Sequence, residues 1–204
     1  MIVTGLEKIS ADRCKIFIDE EFAFVLYKGE LRHYQLAEGQ IIGEEAYREI
    51  TENLLPRRAK LRAMNLLQKK RYTEKQLINK LKEGFYSDQI IEDAIDYVKF
   101  FRYLDDLQYA VDYITYHEET KTRRKLELDL KQKGISDEVL QQAFLEWKSL
   151  GGGQDELQMI KELLQKKHYD PDGDEKEKHR IYAFLLRKGF SADQVHRAMA
   201  LKEF

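Results

Sequence analysis

The chain has 204 residues, of which 43% are hydrophobic and 35% are charged, a balance typical of a soluble, helix-rich protein. Its single cysteine, Cys14, excludes an intrachain disulfide, and no apolar run approaches membrane-spanning length, so we expect a reducing, cytoplasmic location. The net charge of −2 is not that of a dedicated nucleic-acid binder, which normally needs a basic domain or stripe to neutralise phosphates, although local basic patches are compatible with it.

The charge is distributed unevenly. Residues 1–56 carry 6 basic and 11 acidic side chains, a net charge of −5, whereas residues 57–150 carry 19 and 16, a net charge of +3. Residues 151–204 carry 10 of each and are neutral. The excess of basic side chains therefore lies in the middle of the chain.

The first residues predict a small β-rich segment. Lys15–Asp19 and Phe22–Tyr27 are short and rich in β-branched or aromatic residues, and they are separated by acidic residues that suit a hairpin turn. Ile2–Ile9 is a candidate for a third strand. Gly43–Asn53 then has the pattern of a helix. We expect the segment to end near Pro56, because the residue before a proline is biased away from helix.

From Arg57 onward, apolar residues recur with the helical period of 3.6. Three segments, spaced about fifty residues apart, repeat one pattern: a glycine that tolerates a left-handed helix end, then a serine that caps the next helix. The pairs are Gly84 with Ser87, Gly134 with Ser136, and Gly189 with Ser191. The repeat predicts three units of three helices each.

We predict a mainly α fold, a tandem array of three three-helix repeats that is elongated and curved because each repeat contacts mainly its neighbours. The predicted parts are a β-rich N-terminal extension at 1–56 and repeats at 57–104, 105–150 and 151–204. Thr73 has capping-box spacing to Gln76 and is predicted to begin a helix. Gly151–Gly153 predicts a flexible joint, and residues 169–178 predict a polar loop.

The predicted helices have apolar positions on one face each. In the first repeat these are Ala59, Ala63, Leu66, Leu67, Leu77, Ile78, Leu81, Ile90, Ile91, Ala94, Ile95 and Val98. In the second they are Leu107, Ala110, Val111, Ile114, Leu126, Leu130, Val139, Leu140, Ala143, Phe144 and Trp147. In the third they are Leu157, Ile160, Leu163, Leu164, Ile181, Leu185, Leu186, Val195, Ala198 and Met199.

No arrangement of residues predicts an enzyme. The histidines are scattered along the chain at His33, His117, His168, His179 and His196. Without paired cysteines they do not predict a metal site. Asp170, Asp172 and Asp174 resemble the start of a calcium loop, but the required glycine and bidentate acid are replaced by Glu175 and Ile181. We expect no catalytic residue, cofactor or metal.

Two basic clusters are the candidate binding features. The first basic cluster consists of Arg57, Arg58, Lys60, Arg62, Lys69, Lys70 and Arg71, and the second consists of Lys121, Arg123, Arg124 and Lys125. The second cluster opens a predicted helix, whose start presents free N–H groups and a positive dipole end, so the four cations there predict an anion-binding site. The alternative is a solvated face in a lysine-rich chain.

Tyrosines are concentrated near the junction of the first two repeats. They are Tyr97, Tyr103, Tyr109, Tyr113 and Tyr116. We expect most of them to pack between units and one or two to be interface anchors, because tyrosine combines an apolar ring with a polar tip.

Several motifs together resemble a known family. They are Tyr103-Leu-Asp-Asp106 with Tyr109-Ala110, the second basic cluster, Leu130-Lys-Gln-Lys-Gly-Ile135, Tyr72–Leu77 with Lys82–Phe85, and Leu186–Ser191. From about Ala59 to its end the chain resembles the RecX family, bacterial regulators of the RecA recombinase, and the β-rich segment resembles the extension of longer members. The chain departs from the family at Glu119–Thr122, where many members have a Gly-Pro pair.

The resemblance implies a non-enzymatic protein that lies along the groove of the RecA nucleoprotein filament and limits RecA activity in homologous recombination and DNA repair. The candidate contacts to RecA or filament DNA are Arg57, Arg58, Arg62, Lys70, Lys121, Arg123, Arg124 and Lys125. We expect a monomer that does not bind membranes. Two alternatives are direct binding of single- or double-stranded DNA and a helical-array adaptor for an unrelated protein.

Overall fold

The computed structural model describes residues 1–200, so the last four residues of the predicted third repeat lie outside the described part. The chain forms two compact units, and the boundary between them in the sequence lies between Asp105 and Asp106. Both are mainly helical, and the first also contains a small antiparallel sheet, which confirms the predicted mainly α fold with a small β-rich N-terminal segment. Among residues 1–200, no helix combines the length and the apolar character needed to cross a membrane.

The predicted strands form a sheet in the order β1-β2-β3, with all neighbours antiparallel. The strands are β1 (Val3–Lys8), β2 (Arg13–Ile18) and β3 (Glu21–Tyr27). Asp19 and Glu20 connect β2 to β3 with φ values of 49° and 74°. Positive φ at both central residues is the conformation that matches the twist of a two-residue hairpin, so the predicted turn is confirmed.

Helices follow the sheet without the break predicted at Pro56. They are α1 (Lys28–His33), α2 (Glu44–Arg48), a π-helical segment (Glu49–Leu54) and α3 (Leu55–Lys69). The expectation that the residue before Pro56 leaves the helical conformation was wrong, because Leu55 is the first residue of α3. Pro56 lies in the first turn of α3, directly after the wider π-helical turn, where a ring and a missing N–H donor disturb helical hydrogen bonding least.

The sheet and the first helical repeat share one hydrophobic core. Ile16, Phe24 and Leu26 from the strands belong to the same buried cluster as Ala59 and Leu77 from the helices. The core is completed by α4 (Glu74–Lys82) and α5 (Asp88–Phe100). The division of the chain at residues 56, 104 and 150 remains a prediction about domains.

The predicted helix starts of the first unit are confirmed, but its glycine has a different role. The hydroxyls of Thr73 and Ser87 accept hydrogen bonds from backbone N–H groups in the first turns of α4 and α5. Phe85, not Gly84, adopts the left-handed conformation, with φ of 62°. Gly84 lies against the Tyr86 ring, where a Cβ atom would come within 2.6 Å of it. Glycine is therefore required here for close approach.

The second unit contains two three-helix groups with separate cores. The first group is α6 (Asp106–His117), α7 (Arg123–Gln132) and α8 (Asp137–Ser149), and the second is α9 (Glu156–Lys166), α10 (Glu175–Arg187) and α11 (Ala192–Met199). Gly134 and Gly189 have φ values of 95° and 100°, and Ser136 and Ser191 cap α8 and α11, as predicted. The helix α10 begins at Glu175, so the loop predicted at residues 169–178 is shorter than expected.

The predicted apolar faces are buried or half-buried in all three groups, with one exception. Leu186 is 38% exposed because it lies on the outer face of α10, next to the buried Leu185. The apolar period of these helices therefore predicted the cores closely.

Gly151 and Gly152, in the segment where a flexible joint was predicted, end α8 in a hydrogen-bonded cap. Gly151 has φ of 91°, and the N–H of Gly152 donates to the carbonyl oxygen of Trp147 at 3.0 Å. This geometry is the Schellman motif. A Cβ atom on Gly152 would lie 2.3 Å from the Trp147 ring, so packing also requires a glycine there.

Candidate partner-binding surface

The first basic cluster divides into cations that stabilise the first unit and cations that face solvent. Arg58 donates to the Glu30 carboxylate at 2.7 Å and to the Val25 carbonyl oxygen at 2.5 Å. Its guanidinium also lies over the rings of Tyr27 and Tyr86. These contacts join α3 to β3 and α1, so Arg58 has a structural role.

Arg62 and Lys60 are half-buried as well. A terminal nitrogen of Arg62 donates to the carbonyl oxygen of Lys80 at 3.3 Å, near the end of α4, and Lys60 lies over the Tyr97 ring. Arg57 and Lys70 are exposed, and Lys70 lies 4.6 Å from the centre of the Tyr72 ring. Within residues 1–200, Arg57 has no ion-pair or hydrogen-bond partner for its side chain. Two of the predicted contacts in this cluster, Arg57 and Lys70, are therefore accessible to a partner.

The start of α7 already holds an anion from the same unit. Thr122 caps the helix, with its hydroxyl accepting from the backbone N–H of Lys125 at 3.2 Å. The backbone N–H of Arg123 donates to the carboxylate of Glu156 at 3.2 Å. A carboxylate at a helix N-terminus complements the helix dipole. The predicted anion site thus holds the carboxylate of Glu156 from the first turn of α9.

Asp129 neutralises the lysines of the second basic cluster. Its two carboxylate oxygens lie 2.8 Å from the Nζ atoms of Lys121 and Lys125, and the Tyr113 hydroxyl donates to it at 3.1 Å. Burial favours a raised pKa for Asp129, but the hydrogen bonds from Lys121, Lys125 and Tyr113 outweigh it and lower the pKa to about 2.

The pKa values of Lys121 and His117, which share the same surroundings, are shifted in opposite directions. Burial lowers the pKa of Lys121, but the hydrogen bonds with Asp129 and Tyr113 outweigh it, so the pKa is raised. Burial, followed by the charges of Lys121 and Lys133, lowers the pKa of His117. Lys121 is therefore held as a charged member of a network inside the unit, and His117 is biased towards its neutral form.

The two arginines of the second basic cluster are exposed. Arg123 forms an ion pair with Glu127 at 2.9 Å, one helical turn away, and its guanidinium lies over the Phe144 ring at 4.5 Å. Arg124 has no charged or hydrogen-bonding partner among the residues that the structure describes. It lies one turn before Leu128, which is 49% exposed. Arg124 is therefore the cation of this cluster most available to a partner.

The sequence-predicted contacts thus separate into two groups. Arg58, Arg62, Lys121 and Lys125 are half-buried and bonded within their own units. Arg57, Lys70, Arg123 and Arg124 are exposed. No group of three potential metal ligands occurs within the described part of the chain.

An exposed group of aromatic side chains at the end of α5 was only partly predicted. Phe100 is 81% exposed and Phe101 is 48% exposed, and neither was identified from the sequence as a surface residue. Tyr103, predicted as a possible anchor, is 56% exposed. The available signal was the phase of the helix: Phe100 falls outside the buried face of Ile91, Ala94, Ile95 and Val98.

Comparisons with known proteins all identify similarity to the same family. Residues 59–97 match the first three-helix domain of RecX, and residues 154–199 match its third three-helix domain. Similar proteins include the regulatory protein RecX of Caldanaerobacter subterraneus subsp. tengcongensis, 25% identical over 98% of this chain and 100% of the relative. That of Clostridium perfringens (strain 13) is 28% identical over 94% and 91%, and that of Bacillus velezensis is 28% identical over 97% and 75%.

Solved structures support the same fold. A crystal structure of regulatory protein RecX matches with a TM-score of 0.62 and 21% identity, over 97% of this chain and 98% of that one. RecX from Lactobacillus salivarius matches with a TM-score of 0.59 and 23% identity, over 71% and 94%. The similarity covers the sheet as well as the helices, because the first of these matches extends over nearly the whole chain.

Proposed function

The chain belongs to the RecX family of regulatory proteins, and we propose that it regulates homologous recombination by binding the RecA nucleoprotein filament and inhibiting RecA activity. The observation that carries the proposal is the extent of the match: relatives named regulatory protein RecX align with nearly the whole chain. The protein acts in the cytoplasm as a monomer and catalyses no reaction, because binding alone is enough to block filament growth or to promote disassembly.

The exposed cations are the proposed electrostatic contacts. Arg124 is central, because it has no partner of its own within the described chain and a new ion pair breaks no existing one. Arg123 lies beside it, and Arg57 and Lys70 contribute from the first unit. The half-buried cations support the shape of these surfaces rather than contact the filament. Such charge complementarity sets the orientation and rate of binding more than its strength.

The test is RecA-catalysed strand exchange and ATP hydrolysis, titrated with the wild-type chain and with Arg124→Glu. The matched control is Lys176→Glu, because Lys176 is also an exposed cation without a partner among residues 1–200 and also occupies the second position of its helix. We expect the wild type and the control to inhibit RecA equally and Arg124→Glu to require several-fold more protein.

The same titration, repeated with DNA alone, distinguishes the proposed function from the alternative of direct DNA binding. A protein that neutralises phosphates binds DNA without RecA and loses affinity steeply with added salt. The intramolecular pairing of Lys121, Lys125 and Arg58 leaves fewer free cations for that mechanism. Binding to bare DNA that accounts for all of the inhibition, or wild-type chain that has no effect on RecA, would contradict the proposed function.

A further inference from the structure

The end of α5 presents an exposed surface that folding does not explain. We define the aromatic patch as Phe100, Phe101, Arg102 and Tyr103. The Phe100 and Phe101 rings are 5.1 Å apart, and the Phe101 and Tyr103 rings are stacked at 6.1 Å. Single exposed apolar residues are ordinary, but contiguous exposed aromatic rings mark interaction surfaces.

The backbone holds the aromatic patch in a fixed conformation. Arg102 has a left-handed φ of 57°, its N–H donates to the carbonyl oxygen of Lys99, and the N–H of Tyr103 donates to that of Val98, each at 2.9 Å. These two bonds form a Schellman cap, and the next residue, Leu104, is buried. The rings therefore extend from a rigid helix end, which reduces the entropy lost when a partner binds.

A cavity of about 300 Å³ adjoins the aromatic patch. It is lined by Met64, Leu67, Gln68 and Tyr103, so Tyr103 belongs to both features. Projecting rings next to an apolar recess suit a partner that offers both a recess and a projecting apolar side chain. This is the pattern of anchor residues at protein interfaces, where aromatic residues and arginine are enriched.

Acidic residues border the aromatic patch on α5. Asp93, Asp96 and Phe100 are spaced by three and four positions, so they lie along one helix face, and all three are exposed. These carboxylates repel phosphate groups and attract lysine or arginine. Lys99, beside Phe100, is paired with Glu74, and the charge of Arg102 is balanced by Asp93 and Asp96, so a single-stranded nucleic acid, which needs stacking rings within a positively charged groove, is disfavoured.

We infer that the aromatic patch anchors a protein partner whose surface combines exposed apolar side chains with a basic border. The inference rests on the proposed function, since it adds an apolar contact to the electrostatic ones on the same regulated partner. Phe100 and Tyr103 provide most of the affinity, the Arg102 guanidinium donates hydrogen bonds to one carboxylate of the partner, and Asp96 pairs with a cation of the partner's basic border.

The test measures binding to RecA filaments assembled on a thymidine oligonucleotide, in parallel with binding to the oligonucleotide alone. The variants are Phe100→Ala, Tyr103→Ala and Asp96→Lys. The control is Ile41→Ala, because Ile41 is 77% exposed and lies elsewhere in the first unit. We expect Phe100→Ala and Tyr103→Ala each to weaken filament binding about tenfold or more, as anchor residues do. We expect Asp96→Lys to weaken it several-fold and the control to match the wild type.

Four outcomes would contradict the inference. If the wild type binds the filament and the patch variants bind equally well, the role of the aromatic patch is overturned but the proposed function is not. If the wild type does not bind the filament, both the proposed function and the role of the patch are overturned. Parallel loss of binding to the bare oligonucleotide identifies a nucleic-acid surface. Sedimentation that shows a wild-type dimer, lost in Phe100→Ala, identifies a second copy of the chain as the occupant.

Discussion

The carboxylate of Glu156 accepts a hydrogen bond from the backbone N–H of Arg123 over 3.2 Å, which joins the first turn of α9 to the first turn of α7. Two residues earlier, the side-chain amide of Gln154 lies 2.6 Å from the carbonyl oxygens of both Glu118 and Lys121. The segment before α9 thus supplies hydrogen-bond donors to the carbonyl oxygens of the loop before α7. The glycine-containing connection is therefore fixed at its far end as well as at the cap of α8.

We predict that Gln154→Ala lowers the free energy of unfolding by about 1–3 kcal/mol, because it leaves half-buried carbonyl oxygens without their donor. Urea denaturation measures this change. Gln158→Ala is the control, since the Gln158 side chain is exposed and, among residues 1–200, makes only a long hydrogen bond of 3.5 Å to Glu162. Equal stability of the two variants would mean that the Gln154 contacts are replaced by water at no cost.

The lowered pKa of Asp129 leads us to expect that part of the protein's stability is lost in acid. Its pKa is about 2 in the folded protein and near the ordinary value of 3.8 when unfolded, so its stabilising effect is complete above about pH 4 and is lost as the pH falls towards 2. We expect Asp129→Asn to destabilise the protein by about 2 kcal/mol at neutral pH, and the difference from the wild type to shrink over that acidic range.

The measurement is urea denaturation of the wild type and Asp129→Asn at a series of pH values. Glu127→Gln is the control, because the Glu127–Arg123 pair is on the surface, where ion pairs contribute little. A difference between wild type and Asp129→Asn that stays constant down to pH 2 would contradict the assigned network.

Substitutions of two residues at helix ends are expected to change stability in opposite directions. His168 follows α9 with φ of 50°, a conformation that glycine adopts without strain, so His168→Gly should stabilise the protein by about 0.5–1 kcal/mol. Gly189 follows α10 with φ of 100°, and a Cβ atom there would lie 2.5 Å from the Thr122 hydroxyl. Gly189→Ala should therefore destabilise by about 1–2 kcal/mol. Thermal denaturation of both variants tests the pair; shifts of the same sign would contradict it.

Arg58 and Arg57 are neighbours with different predicted roles. Arg58→Ala removes the ion pair to Glu30 and the bond to Val25, so we expect it to destabilise the first unit by about 2–4 kcal/mol. Arg57→Ala, the control at an exposed position, should change stability by less than about 0.5 kcal/mol. Urea denaturation followed by circular dichroism measures both; a stable Arg58→Ala variant would show that the ion pair is dispensable.

Some of the candidate site was predictable from local sequence. The pairs Arg123–Glu127 and Lys125–Asp129 are four residues apart on one helix, a spacing at which opposite charges meet. That spacing is sufficient to predict that these cations are partly neutralised. The contacts of Arg58 with Glu30 and of Arg123 with Glu156 join residues that are 28 and 33 positions apart in the sequence. Patterns within one or two helical turns do not predict contacts between residues so far apart in the chain.

The sequence by itself determined the helix starts at Thr73, Ser87, Ser136 and Ser191, the left-handed helix ends at Gly134 and Gly189, and nearly all of the buried helix faces. These features depend on residues within one or two turns of each other, so periodicity and capping chemistry specify them. Only the tertiary structure decided which cations remain free and where aromatic rings stay exposed. Those properties depend on which distant side chains packing brings together, and the spacing of residues along the chain does not determine that.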